Sequence, residues 1–161
     1  MKRSTLADRE CAIAKSSAEL VDAWSFMILR ELFLGNHRFD GILRQTGMSP
    51  RSLTLRLAHL LEAGVLEKRE YQQTPQRFDY RLSQKGIELW PVLIALKQWG
   101  DKWHGPWGED GPPVQLMHKG LGHALSVRMV CDECGKPVDA HASEVTCSRA
   151  FAAERRQRQE R

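Results

Sequence analysis

The sequence predicts a mainly α-helical domain with a small β-wing, a winged helix-turn-helix, carrying a small C-terminal ribbon. Three observations predict it: two short helical stripes meeting across Thr46-Gly47-Met48, two strand-like runs directly after them, and a further helical stripe that ends in tryptophans. With 161 residues the chain has room for one domain and an appendage. Hydrophobic residues make up 42% and charged residues 27%, ordinary values that exclude wholesale disorder.

Each element follows from its own signals. Between Ala18 and Leu34, apolar residues at Leu20, Val21, Trp24, Met27, Ile28, Leu29, Leu32 and Phe33 keep helical spacing, and Gly35-Asn36 supplies a stop. A short helix to about Asp22 and a longer one from Trp24 to Leu34 are expected. Phe39, Ile42 and Leu43 mark a short amphipathic helix that ends at Gly47. Ser49-Pro50 then sets an N-cap residue before proline at the first helical position. Leu53, Leu57, Leu60 and Leu61 form one stripe, and Gly64 stops the helix. Val65–Tyr71 and Arg77–Leu82 read as strands, joined by the polar tip Gln72–Gln76 with its Pro75. Ser83 caps a last helix, in which Pro91 implies a kink or break near Leu89. Beyond it Val92, Leu96, Trp99 and Trp103 recur on one face. Two indoles on that stripe exceed what so small a domain covers alone, which argues for a partner helix in a two-fold dimer.

Six of the nine residues from Gly105 to Pro113 are Gly or Pro, so the chain is read as domain 1–104, linker 105–113 and appendage with polar tail 114–161. The first part holds 16 Lys and Arg against 12 Asp and Glu, the rest 8 against 8. The whole net charge of +4 therefore lies in 1–104, which permits a polyanionic partner. No apolar run approaches the roughly 18 residues of a membrane span, and no apolar segment follows Lys2 and Arg3. A cytoplasmic protein is expected.

Residues 41–61 contain Arg44, Arg51 and Arg56 and no acidic side chain. A recognition helix presents its first turns to the major groove. With Leu53 and Leu57 inward, Ser49, Arg51, Ser52, Leu55 and Arg56 fall on the reading face, and Thr54 on its flank toward phosphate. Arg51 and Arg56 suit guanine O6 and N7 as a fork, or phosphate; Leu55 suits a thymine methyl. His59 is a lesser backbone contact. Gln76 and Arg77 beside Pro75 are expected at the minor groove or its phosphates, and Arg38 at a phosphate.

At this point the chain resembles the HxlR branch of the MarR-like bacterial transcription regulators. The matching stretches are Cys11–Ile13, Asp22–Ser25, Ile28–Leu32, Arg38–Asp40, Leu57–Val65, Tyr80–Ser83, Lys85-Gly86 and Trp99–Trp103, in consistent order over about residues 9–104. The resemblance implies dimeric DNA-binding regulators, frequently repressors, paired through the N-terminal segment and the last helix. It also implies, for some members, sensing of oxidants or electrophiles at an N-terminal cysteine, here Cys11. The other reading of Cys11 is a small buried residue under the dimer helix.

Cys131-x-x-Cys134-Gly is a zinc-knuckle form, in which a tight turn aims two thiolates at one ion. His118 and His123 are the partner ligands, with His141 and Cys147 as substitutes. Similar tails carry a cysteine where this chain has Leu121, so a metal-free β-ribbon is an equal reading. A redox-active pair is disfavoured by the lack of a thioredoxin-like βαβ pattern. Trp24, Phe26, Trp90, Trp99 and Trp103 form either core or a pocket for a small-molecule effector.

The function read from these residues is a sequence-specific DNA-binding regulator, a repressor by default. It would act as a homodimer on a pseudo-palindromic operator. The alternatives are a winged-helix adaptor without DNA affinity and, last, a thiol or zinc enzyme. No His-Glu-x-x-His, nucleophile elbow, phosphate loop or dinucleotide fingerprint is present, so no catalytic residue is assigned.

Overall fold

The structure, a computed structural model, describes residues 4–20 and 22–160. Lys2, Arg3, Val21 and Arg161, which enter the sequence reading, lie outside the described residues. The chain forms two compact units, residues 1–90 with 148–161 and residues 91–147. The glycine- and proline-rich segment 105–113 thus falls inside the second unit. The last stretch groups with the first, not with the appendage that the sequence suggested. A long-range hydrogen bond joins the two segments of the first unit: the Glu10 amide donates to Glu154 Oε2 at 2.8 Å, which also holds the Glu154 carboxyl below the usual carboxylate range.

In the first unit the order is α1 (Ser4–Ala7), α2 (Ala12–Leu20), α3 (Ala23–Phe33), α4 (Phe39–Thr46), α5 (Pro50–Glu62), β1 (Leu66–Gln73), β2 (Gln76–Leu82) and α6 (Gln84–Ile87). Helix α7 (Trp90–Trp103) begins there and continues into the second unit, and α8 (Arg149–Gln159) closes the chain. Caps explain the starts. Asp22 accepts from the Ser25 amide, Ser49 from Ser52, Ser83 from Gly86 and Ser148 from Phe151, each worth about 1 kcal/mol. Gly47, at φ +68°, ends α4 in the left-handed conformation that glycine adopts without strain.

The core gathers one stripe from each helix: Ile28, Leu29 and Leu32 of α3, Ile42 of α4, and Leu53, Leu57 and Leu60 of α5, closed by Val65 and Leu66. Strands β1 and β2 pair antiparallel from Leu66↔Leu82 to Gln73↔Gln76, with a register shift between Glu70 and Gln72 that leaves Tyr71 as the bulged residue. The ribbon runs further than the sequence reading, which ended the strands at Tyr71 and Arg77. Only Thr74 and Pro75 remain as the tip, where proline's missing N–H has no ladder partner to lose. The expected break before Pro91 is present: α6 stops at Ile87 and α7 starts at Trp90.

Gly86 is where the wing's base meets α6. A Cβ there would lie 2.3 Å from the Val65 carbonyl oxygen, a backbone atom that also accepts from the Ser83 amide. Gly86→Ala is therefore expected to destabilise by about 1–3 kcal/mol, as overpacking does. A denaturant midpoint equal to wild type would contradict this packing.

The second unit has two short hairpins closed by single bridges, Met117↔Ala124 and Val130↔Pro137, instead of a continuous ribbon. No helix among the described residues is long and apolar enough to cross a membrane.

Candidate nucleic-acid interface

Helices α4 and α5 meet through the Gly47 turn, with Thr46 and Met48 buried on either side of it. Thr46 Oγ1 donates to the Ile42 carbonyl at 2.8 Å, so the turn's one buried hydroxyl is satisfied. With its leucine stripe inward, α5 turns Ser49, Arg51, Thr54 and Leu55 to the exterior. Leu55 is 58% exposed, a large apolar side chain left in water on the face the sequence assigned to reading. Among the described residues Arg44, Arg51 and Arg77 make no ion pair and are exposed. Two hydroxyls are partly committed: Ser49 Oγ accepts the Ser52 amide at 3.2 Å, and Thr54 Oγ1 donates to the Pro50 carbonyl at 2.9 Å. Ser52 is half-buried.

Arg56 departs from the sequence expectation. Its Nε lies 2.6 Å from Asp22 Oδ2, close enough to ion-pair but without the alignment of a hydrogen bond, and its side chain is only 27% exposed. Asp22 is the N-cap of α3, so this pair ties the reading helix α5 to the start of α3. His59 is likewise engaged within the chain, its Nε2 lying 2.9 Å from the Glu19 carbonyl oxygen. Neither contact is visible in a helical stripe, because both partners lie in another element.

At the wing, Gln76 Nε2 donates to Glu70 Oε2 at 3.0 Å, bracing the tip, while Arg77 beside it is exposed. Arg38 sits with its guanidinium 4.7 Å above the Tyr71 ring and 3.9 Å from Asp79 Oδ1. Together α4's start and the wing enclose a cleft of about 700 Å³ whose cationic lining is Arg38, Arg44, Arg77 and Arg81. The sequence reading passed over Asp22, Tyr71 and Asp79. Arg44 stood in the acid-free run but was given no role.

His37 lies in the same cleft. Burial and the Arg81 guanidinium push its pKa below 6.5, against the pull of Asp79 and a backbone hydrogen bond with Tyr80. A histidine with a depressed folded pKa adds stability above its unfolded value. That stability is lost as pH falls through the folded value. Thermal midpoints measured between pH 7.5 and pH 5 should fall more for wild type than for His37→Gln; parallel curves would contradict this.

The remaining predicted sites are more dispersed. Cys11 is half-buried just before α2. In the first unit Trp90 stacks on Phe33 with ring centroids 4.8 Å apart, and Trp24 is 41% exposed. In the second, Trp99 and Trp103 are 56% and 62% exposed and Trp99 meets His104 edge-on. His118 and His123 face each other at 5.4 Å, each with Nδ1 toward a backbone carbonyl of the next residue. Among the described residues no three of His, Cys, Asp and Glu converge as a metal's ligands would. The set His118, His123, Cys131 and Cys134 is therefore not assembled. Leu121, between the two histidines, is 63% exposed.

The HxlR-like helix-turn-helix family model matches residues 19–107, the span that holds α3 to α7 with the turn and the wing. The chain belongs to the HxlR-like helix-turn-helix family. This HxlR-like chain is a transcriptional regulator of the helix-turn-helix type. It is 36% identical over 123 residues to an uncharacterized HTH-type transcriptional regulator of Mycobacterium bovis, covering 76% of this chain and 77% of that protein. It is 38% identical over 94 residues to another from Synechocystis, covering 58% and 70%. Among solved structures, PA1607, a candidate transcription factor, superposes with a TM-score of 0.78 at 27% identity, covering 89% of this chain and 99% of that one. The redox regulator HypR in its reduced form follows at 0.54 and 25%, covering 57% and 92%.

Proposed function

We propose that this HxlR-like protein binds duplex DNA sequence-specifically as a homodimer and represses transcription from a pseudo-palindromic operator. The observation that carries the reading is the outer face of α5, where Arg51, with no ion pair among the described residues, and the water-exposed Leu55 stand side by side in the helix's first half. A buried or acid-paired helix at that place would have no use for either. Ser49, Arg51, Ser52, Thr54 and Leu55 meet the major groove. Gln76 and Arg77 at the wing tip, with Arg38 at its base, meet the flanking backbone. Arg56 stands behind this face as a positioning residue.

The dimer is supported by the stripe Val92, Leu96, Trp99 and Trp103 along α7, each between 48% and 62% exposed. A single chain leaves that area in water; a second copy of α7 removes it. Cys11 is the thiol for an oxidant or electrophile signal, a reading supported by the likeness to HypR and by its place at the start of α2. Trp24, Phe26, Trp90, Trp99 and Trp103 remain the residues for a small-molecule effector. Affinity selection of fragments from the source genome tests the reading. A recurrent motif with two half-sites about one helical turn apart supports it, and recovery of random fragments contradicts it.

A further inference from the structure

The second hairpin of the second unit turns through Cys131-Asp132-Glu133-Cys134-Gly135-Lys136. Backbone hydrogen bonds close it. The Cys131 amide donates to the Lys136 carbonyl at 2.9 Å, and the Gly135 amide returns to the Cys131 carbonyl at 2.7 Å. Gly135 takes φ +66°, which lets the chain reverse directly after the second cysteine. The turn sets Cys131 and Cys134 three residues apart on one chain reversal, and the nearby Cys134 and Glu133 amides, with the Cys134 thiol, hold the Cys131 thiol below its ordinary pKa. Both cysteines are free thiols, Cys134 exposed and Cys131 half-buried. Among the described residues no third His, Cys, Asp or Glu converges on them.

We propose that Cys131 and Cys134 are a reversible dithiol–disulfide site that exchanges with small-molecule disulfides. The Cys131 sulfur attacks one sulfur of the disulfide RSSR. A Cys131–SR bond forms, the RS–SR bond breaks, and one RS⁻ leaves. The Cys134 sulfur then attacks the Cys131 sulfur, forming the Cys131–Cys134 bond and expelling the second RS⁻. The two thiol protons end on the two released thiols. The protein pair loses two electrons, and RSSR gains them. The βαβ setting whose absence disfavours a redox pair in the sequence is not required, because the hairpin by itself supplies the amide donors and the adjacent second thiol. This site is separate from Cys11 and does not depend on DNA binding.

The test uses the full chain carrying Cys147→Ser. Trypsin spares the Lys136–Pro137 bond, so the peptide Met129–Arg149 then holds these two thiols alone. After oxidised glutathione, alkylation and digestion, that peptide should be lighter by two hydrogens, unalkylated, and restored by dithiothreitol. In the further variant Cys134→Ser, a glutathione adduct should accumulate on Cys131. The reaction is run with and without prior chelator. Thiols that stay fully alkylatable, a lasting glutathione adduct when both cysteines are present, or protection that only a chelator relieves would each overturn the proposal.

Discussion

Arg51→Ala weakens binding to an operator fragment by about 1–3 kcal/mol, roughly ten- to a hundredfold at the centre of that range. Arg51 is exposed in the first turn of α5 and makes no ion pair within the described chain, so its removal costs the fold almost nothing. Thermal midpoints of the two proteins should agree, which separates lost recognition from lost stability. Where the guanidinium forks onto a guanine, the loss concentrates at one base pair and discrimination there relaxes. Where it holds phosphate, the loss is uniform over sequences and the salt slope falls by about 0.9 per chain. Titration of variant and wild type on matched and singly substituted duplexes, by anisotropy, separates these cases. Equal affinity for both proteins on every duplex would mean that α5 does not face DNA.

The second large effect comes from Asp22. Asparagine caps a helix as well as aspartate, so Asp22→Asn keeps the N-terminus of α3 while removing the charge that holds Arg56. A partly exposed pair of this kind is worth about 0.2–1 kcal/mol, and the variant should fold. The released guanidinium adds one cation beside the reading face. Binding to any duplex then tightens at low salt, and the dependence of log K on log salt steepens by about 0.9 per chain. Arg56→Ala in the otherwise native protein should leave that slope unchanged. If instead Arg56→Ala flattens the slope and Asp22→Asn does nothing, Arg56 is itself a DNA contact and the pair with Asp22 opens on binding.

Where local chemistry decides the outcome, the sequence was legible. Gly47 ends α4 and Ser49-Pro50 starts α5 because a left-handed turn and an N-cap are properties of three or four adjacent residues. The leucines at 53, 57 and 60 face inward because a stripe at that spacing has one way to hide. Arg51 and Leu55 follow as the remainder of the same helix.

What was not legible depends on partners far along the chain. Nothing near Arg56 announces that Asp22 stands against it, and nothing near His59 announces the Glu19 carbonyl. A helical stripe reports which side of α5 is wet, not which wet cations are already neutralised. The grouping of 148–161 with the first unit likewise involves a distant partner, the Glu10 amide that donates to Glu154. The four-ligand metal site is a related case: spacing suggests ligands within each hairpin, but convergence of two hairpins is a tertiary property, and among the described residues no three of the candidates converge.

Salt dependence measured on a random duplex tests the central claim most directly, since it needs no knowledge of the operator. Among the described residues Arg44, Arg51 and Arg77 are exposed and make no ion pair, and the proposed dimer presents all three twice. Each phosphate neutralised contributes about −0.9 to the slope of log K against log salt, so a slope steeper than about −3 is predicted between 50 and 200 mM salt. Affinity that is absent at low salt, or that holds level as salt rises, would contradict a DNA-binding surface on α5 and the wing.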